Sequence, residues 1–276
     1  MPFGLCNAPA TFQRFMNRLF DGEGKRHVLV YLDDIIVFSD NVEDHMKHLI
    51  EVLERLIKAN LRINYKKSTF FTEEVKYLGY IIKQHCIHIS DEKKHAIMQF
   101  PRPKNSKQVQ QFLGLASYFR RFVKNFAKIA HSLHLKLRKG MVFSWDEDDQ
   151  KSFDLLKYHL THDPILRLPN FKNEFIVTTD ACVNGISAVL TQKKGDVEYA
   201  IYYASRITNN HEKNYNTYEL EGLAVIFAMK IFRCYLLGRK FTLFTDNTAI
   251  VYIASNKDTS SRLMRWAIKL RSSIFV

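Results

Sequence analysis

The sequence predicts a chain of mixed α/β, or α+β, class in which two lobes follow one another. Near the start, two short β-branched apolar runs, Val28–Leu32 and Ile35–Phe38, read as paired strands between amphipathic helices. From Phe171 onward, strand-like runs come first, then a long helix, another strand and a helix. That order suits a mixed sheet with helices packed on it. The 276 residues suffice for two cores.

Composition narrows the function classes. Hydrophobic content of 46% with 25% charged residues is that of a globular protein rather than a disordered one. No apolar run approaches the ~20 residues of a membrane span, and no signal-peptide pattern opens the chain. Cys6, Cys86, Cys182 and Cys234 are far apart and form no CxxC pair, so reduced thiols and an intracellular setting are expected. His85/His88 and His131/His134 have no cysteine partners at zinc spacing. A net charge of +13 points to a polyanionic partner. Between Lys93 and Lys139 stand twelve Lys or Arg and no Asp or Glu, with Phe100, Phe112, Tyr118, Phe119, Phe122 and Phe126 interleaved. A solvated basic face above an aromatic core accounts for part of this; the unbroken absence of acids favours a phosphate-contacting surface.

The elements come in order. Phe12, Phe15, Met16, Leu19 and Phe20 form one helical stripe between Pro9 and Phe20, with proline suited to the first turn. Asp21 to Arg26 is a polar loop. Asp33 and Asp34 then separate the two apolar runs. A plain turn and a metal site both explain them: Asp suits turns, but adjacent carboxylates between apolar strands repel, and a hard divalent cation removes the conflict. Asp40, with Glu43 as capping-box partner, starts a second helix. Its stripe, Val42, Met46, Leu49, Ile50, Leu53, Leu56 and Ile57, is expected to be core and stops near Asn60. Leu61–Asn64 and Val75–Ile82 read as strands. Ser106 caps a helix whose apolar face carries Val109, Phe112, Leu113, Ala116, Phe119 and Val123, leaving Arg120, Arg121, Lys124 and Lys128 off that face. Asp146 to Asp149 stand at the start of a helix through Phe153, Leu156 and Leu160, where the macrodipole favours acids, so they read as caps. Asp163 to Pro169 reads as a linker. Beyond it come strands Glu174–Thr179, Gly185–Gln192 and Tyr199–Ser205, a helix Thr217–Leu237 and a strand Phe241–Thr245. Asp180 and Asp246 close two of these strands and Glu221 lies near the helix start; singly, each could be an ordinary surface acid.

Motifs add to this reading. Tyr31-Leu32-Asp33-Asp34 between apolar strands resembles the metal-binding hairpin of reverse transcriptases. The preceding string Met1-Pro2-Phe3-Gly4-Leu5-Cys6-Asn7-Ala8-Pro9-Ala10-Thr11-Phe12-Gln13 resembles the template- and nucleotide-contacting segment of gypsy-type LTR retrotransposon polymerases. Lys76 to Ser90 resembles the primer-grip hairpin of that family, with Leu78-Gly79 its fixed feature. There the chain departs from the family pattern: Cys86 stands where a turn glycine is usual, which would cost on the order of 1 kcal/mol if φ is positive, and Ser68 replaces a usual Cys. Phe112 to Phe122, FLGLASYFRRF, is similar to the thumb. Thr178-Thr179-Asp180-Ala181, Glu221-Gly222-Leu223-Ala224-Val225 and Thr245-Asp246-Asn247 resemble the three carboxylate motifs of the ribonuclease H domain. The resemblance prefers Glu221 to Glu219, because Glu221 stands three residues before Ala224, as the family's metal-binding Glu does.

The resemblance implies a partial polymerase palm (1–90), a thumb and connection (91–170) and a ribonuclease H-like domain (171–276). It implies an RNA-directed DNA polymerase with ribonuclease H, acting on primer-template, dNTPs and RNA·DNA hybrid. The expected cofactor is Mg²⁺ or Mn²⁺, two per site about 4 Å apart, held by Asp33 and Asp34 and by Asp180, Glu221 and Asp246. Phe3, Gly4, Gln13 and Tyr31 are the expected nucleotide and template contacts; Lys76, Leu78, Gly79, Arg120, Arg121, Lys124 and Lys128 the expected nucleic-acid contacts. One further polymerase Asp belongs upstream in the family, so the chain is expected to be part of a Pol polyprotein, unable to synthesise DNA alone and at best weakly active, with Mn²⁺, as a ribonuclease H. The alternatives are a catalytically dead nucleic-acid-binding relic and a protein-binding module reusing the same sheet. Its expected location is intracellular, in cytoplasm or a virus-like particle.

Overall fold

Pro9 in the first turn and an apolar repeat produce helix α1 (Ala8–Leu19) in a computed structural model that describes residues 5–22, 26–138, 140, 142–162 and 165–245. The chain divides into two compact units, Met1–Thr72 and Glu73–Val276. That boundary lies inside the segment 1–90 expected to be one palm.

In the first unit, α1 packs with a hairpin of β1 (Val28–Tyr31) and β2 (Asp34–Val37) and with α2 (Val42–Lys58). Met16, Phe20, Val28, Val52 and Leu56 are its buried centre. Two expectations need correction. Asn41, not Asp40, caps α2: its side chain accepts from the Asp44 amide at 2.8 Å, and Asp44 rather than Glu43 answers it. The expected α2 stripe is also split. Leu56 is buried, but Val42, Met46, Ile50 and Ile57 are exposed, and Val52 turns inward instead. Phe15 of α1 likewise points outward, at 43% exposure. Asn60, in the left-handed region at φ 56°, ends α2, a residue type that tolerates that conformation. No strand forms at 61–64; a 3₁₀ turn comes next at Tyr65–Lys67.

Among the described residues, the second unit holds two four-stranded sheets. The first is antiparallel and ordered β3 (Glu74–Tyr77), β4 (Tyr80–Lys83), β5 (Cys86–Ile89), β6 (Ile165–Arg167). The expected single strand over Val75–Ile82 is thus broken by a two-residue turn at Leu78 (φ 51°) and Gly79 (φ 80°), the paired positive φ of a type I′ hairpin. Cys86 pairs with Lys83 inside a strand, so Gln84 and His85 make the turn and the strain expected at Cys86 is absent. The expected linker supplies β6, because Leu166 is an apolar residue that fills the core beside Ile87. Around this sheet lie α3 (Asp91–Met98), α4 (Ser106–Tyr118), α5 (Phe126–Ile129), α6 (His131–Leu135) and α7 (Glu147–Thr161). Phe112, Phe119, Phe126, Phe153 and Leu156 form the core between them; each such side chain stabilises by roughly 1.5–3 kcal/mol when fully buried. Asn105 caps α4 through the Gln108 amide, while Ser106 donates to the Lys136 carbonyl. Asp146 and Asp149 form a capping box on α7, as their position implies.

The second sheet is ordered β10 (Phe241–Phe244), β7 (Phe175–Cys182), β8 (Gly185–Lys194), β9 (Val197–Ile207). β7, β8 and β9 are antiparallel neighbours, and β10 runs parallel to β7. Helix α8 (Thr217–Ile231) packs on β7 and β8 through Val225, Ala228 and Met229. The expected helix to Leu237 breaks at Phe232, and Arg233–Leu236 is a separate short helix, α9. Short α5 packs on β8 and β9, where the Ala127 amide donates to Ser205 Oγ at 2.9 Å.

Candidate active-site residues and nucleic-acid contacts

The first candidate site is the tip of the β1–β2 hairpin. The register pairs Tyr31 with Asp34, so Leu32 and Asp33 make the turn. The sequence places both aspartates between the strands; the structure moves the loop back by one residue and makes Asp34 the first residue of β2. Tyr31, Asp33 and Asp34 are exposed. Leu32 takes a left-handed φ of 51°, which L residues avoid because Cβ crowds the backbone. The side chain of Gln13 reaches this turn from α1. Its Oε1 accepts from the Leu32 amide at 2.6 Å, and its Nε2 donates to the Val30 carbonyl at 3.1 Å. Phe3 and Gly4 lie outside the described residues.

Adjacent exposed carboxylates offer the oxygen donors a hard divalent cation requires. Among the described residues, no three His, Cys, Asp or Glu are grouped to hold a metal ion.

The second candidate site spans β7 and α8. Asp180 lies near the end of β7, opposite Ser187 of β8, and is exposed. Glu221 is in the second turn of α8, the helix packed on β7, and is 6% exposed. Glu219 is engaged in the helix start instead. It completes the capping box with Asn216, accepting from the Asn216 amide while its own amide donates to Asn216 Oδ1 at 2.8 Å. Asp246 lies outside the described residues. β10 is described as far as the pair Phe244–Thr178.

The expected nucleic-acid contacts divide into groups. Leu78 and Gly79 are held by the aromatic residues at the end of α4. The Tyr118 hydroxyl donates to the Leu78 carbonyl at 2.9 Å, and the Tyr80 hydroxyl donates to the Tyr118 carbonyl at 3.2 Å. Burial, with Tyr118 beside it, pushes the Tyr80 hydroxyl up to about 12. Lys76 pairs with Glu92 at 2.6 Å, both exposed. Arg120 donates to the Ser205 carbonyl and lies over the Phe126 ring. Arg121 sits 5.1 Å from the Tyr202 ring centroid. These two arginines thus bridge the helical segment to β9, which spacing along the helix did not foretell. Lys124 and Lys128 are exposed.

A family model described as reverse transcriptase (RNA-dependent DNA polymerase) matches residues 1–82, and one described as RNase H-like domain found in reverse transcriptase matches residues 170–272. The chain belongs to the reverse transcriptase and RNase H-like segment of retrovirus-related Pol polyproteins. It is 39% identical over 271 residues to the Pol polyprotein from transposon 297 of Drosophila melanogaster, covering 98% of the chain and 25% of that protein. It is 36% identical to that from transposon gypsy of the same fly, over 96% of the chain and 27% of the relative. The transposon Tf2-3 polyprotein of Schizosaccharomyces pombe is 32% identical over 100% of the chain and 21% of its own length. The chain therefore spans about a quarter of the curated relatives it matches. Among solved structures, foamy viral protease-reverse transcriptase dRH in complex with double-stranded DNA superposes with a TM-score of 0.81, at 25% identity, over 98% of this chain and 48% of that one. The same viral enzyme in complex with RNA/DNA hybrid gives 0.79 at 24% identity, a likeness of fold. No helix among the described residues is long and apolar enough to cross a membrane.

Proposed function

We propose that this chain supplies part of the polymerase site and the ribonuclease H site of a retroelement Pol polyprotein, working on primer-template with dNTPs and on RNA·DNA hybrid. The observation that carries the reading is the pair Asp33–Asp34, exposed at the tip of a tight apolar hairpin. Within this reading, 1–90 is palm, 91–170 thumb and connection, and 171–276 the ribonuclease H-like domain; location is intracellular, in cytoplasm or a particle.

Asp33 and Asp34 would hold Mg²⁺ or Mn²⁺ in one lobe, and Asp180, Glu221 and Asp246 in the other. A bound pair of such ions activates a nucleophilic oxygen and steadies the leaving oxygen. The chain's own residues place the carboxylates and hold the duplex. Thr178 and Phe244 are register partners in parallel strands, and Asp180 and Asp246 each follow by two residues in the sequence. Exposed Lys124 and Lys128 offer phosphate contacts, with Phe3, Gly4, Gln13 and Tyr31 on the nucleotide side and Lys76, Leu78, Gly79, Arg120 and Arg121 on the duplex side.

The test is cleavage of a labelled RNA·DNA hybrid by the chain with Mg²⁺ or Mn²⁺, beside primer extension on the same duplex. Metal-dependent cleavage should fall by at least about 100-fold in Asp180→Asn. Cleavage unchanged by that substitution would place the activity elsewhere and overturn the assignment.

A further inference from the structure

We infer that Gln13 is the positioning residue of the Asp33–Asp34 turn; the inference rests on the proposed metal role of that pair. Tyr31 and Asp34 flank a two-residue loop, so they form the hydrogen-bonded pair and Val30–Ile35 the next, non-bonded one. The Val30 carbonyl and Leu32 amide therefore face away from β2, along the open edge of β1. These are the two groups an additional strand would engage on either side of Tyr31. The Gln13 amide takes that place. Oε1 accepts from Leu32 at 2.6 Å, Nε2 donates to Val30 at 3.1 Å, and the second Nε2 hydrogen goes to Asn17 Oδ1 at 2.9 Å. Two oxygen partners on one side and an N–H on the other fix which way the amide points.

The clamp acts on the residue directly before the two carboxylates. Leu32 is held in the left-handed region, and Asp33 and Asp34 come next in the chain. A turn held only by its own ladder would relax from that conformation, and both carboxylates would swing with it. The amide from α1 ties the turn to a helix whose Met16 is anchored in the core. Gln13 thus sets the direction of the carboxylates through the backbone.

The experiment compares amide hydrogen exchange and Mn²⁺-induced line broadening, residue by residue by NMR, in the whole chain, in Gln13→Met, which keeps length without either hydrogen bond, and in Asp33→Asn. In Gln13→Met the Leu32 amide should exchange about ten-fold faster, while Leu29 and Ile36, deeper in the ladder, keep their protection. Mn²⁺ affinity at Asp33 and Asp34 should fall about ten-fold as well. Unchanged Leu32 exchange overturns the inference, and so does an equal loss at Leu29 and Ile36, which would mark Gln13 as general support. Wild-type Mn²⁺ affinity retained beside faster Leu32 exchange overturns the positioning role alone. No broadening in the wild-type chain, or broadening that survives Asp33→Asn, overturns the metal reading itself and the inference with it.

Discussion

Lys136 Nζ lies 2.9 Å from Oδ2 of Asp149, a residue with 0% exposure, and 3.0 Å from Asp146. The hydrogen bond to Asp149, then that to Asp146, holds the ammonium pKa above its ordinary value. One cation thereby bridges both carboxylates of the capping box that starts α7. Removing it strands a buried carboxylate, so Lys136→Met should cost about 3 kcal/mol in urea denaturation, with Asp149→Asn costing less. Equal stability of Lys136→Met and the wild-type chain would show that the carboxylate is compensated elsewhere.

Arg206 grips Glu212 through two bonds, at 2.7 and 2.8 Å, in the segment that leads from β9 toward α8. Arg206, with the Asn209 amide adding to it, holds the Glu212 carboxyl below the usual range against its own desolvation. A depressed folded pKa means stability that is present above the unfolded value, near 4.5, and lost as pH falls through the folded one. The difference in melting temperature between wild type and Glu212→Gln should therefore be constant from neutral pH to about 5 and shrink below it. A difference that persists unchanged to pH 2 would assign the stabilisation to packing.

His131 and His134 act in the same sense at a higher pH. Burial, then Lys213 and Arg138, lowers the pKa of His131; burial, then Arg120 and His131, lowers that of His134. The unfolded chain thus takes up protons first, so stability falls as pH drops below about 6.5 and levels off below the folded values. His134→Gln should flatten this part of a stability profile measured between pH 7.5 and 5. An unaltered slope would show that His134 does not contribute to it.

On the proposed assignment, Glu219 serves the stability of α8 and Glu221 the chemistry. Glu219→Ala removes half of a capping box and should cost about 1 kcal/mol, leaving hybrid cleavage per folded molecule intact. Glu221→Gln should abolish cleavage while the Asn216–Glu219 cap and α8 remain. Reversed phenotypes, read from circular-dichroism melts and cleavage rates, would move the metal-binding assignment to Glu219.

Much of the backbone was legible from residue order. The helices at α1, α2, α4 and α7, the hairpin around Tyr31, the trio β7, β8 and β9 and the cap at Asp146 all rest on short-range rules. Helical stripes, alternating strands and capping side chains act within a few residues, so the chain carries them openly. The carboxylate motifs could be named in the same way, because each is a local string. Other features were not visible. Ile165–Arg167 looks like the middle of a proline-bounded linker until β5 offers it a partner. Arg120 and Arg121 look like free cations until β9 arrives beneath them.

Local sequence determined where helices and strands form, which acids stand at their ends, and that twelve basic residues crowd one stretch. Tertiary structure alone decided which faces are covered and which turn residues bear the strain. It buried Val52 while leaving Met46 and Ile50 in solvent, moved the hairpin loop to Leu32–Asp33, and brought Gln13 against it across nineteen residues of chain. Periodicity says that a stripe exists, but the partner that buries it is remote in sequence; strand register and side-chain clamps are likewise set by non-local pairing.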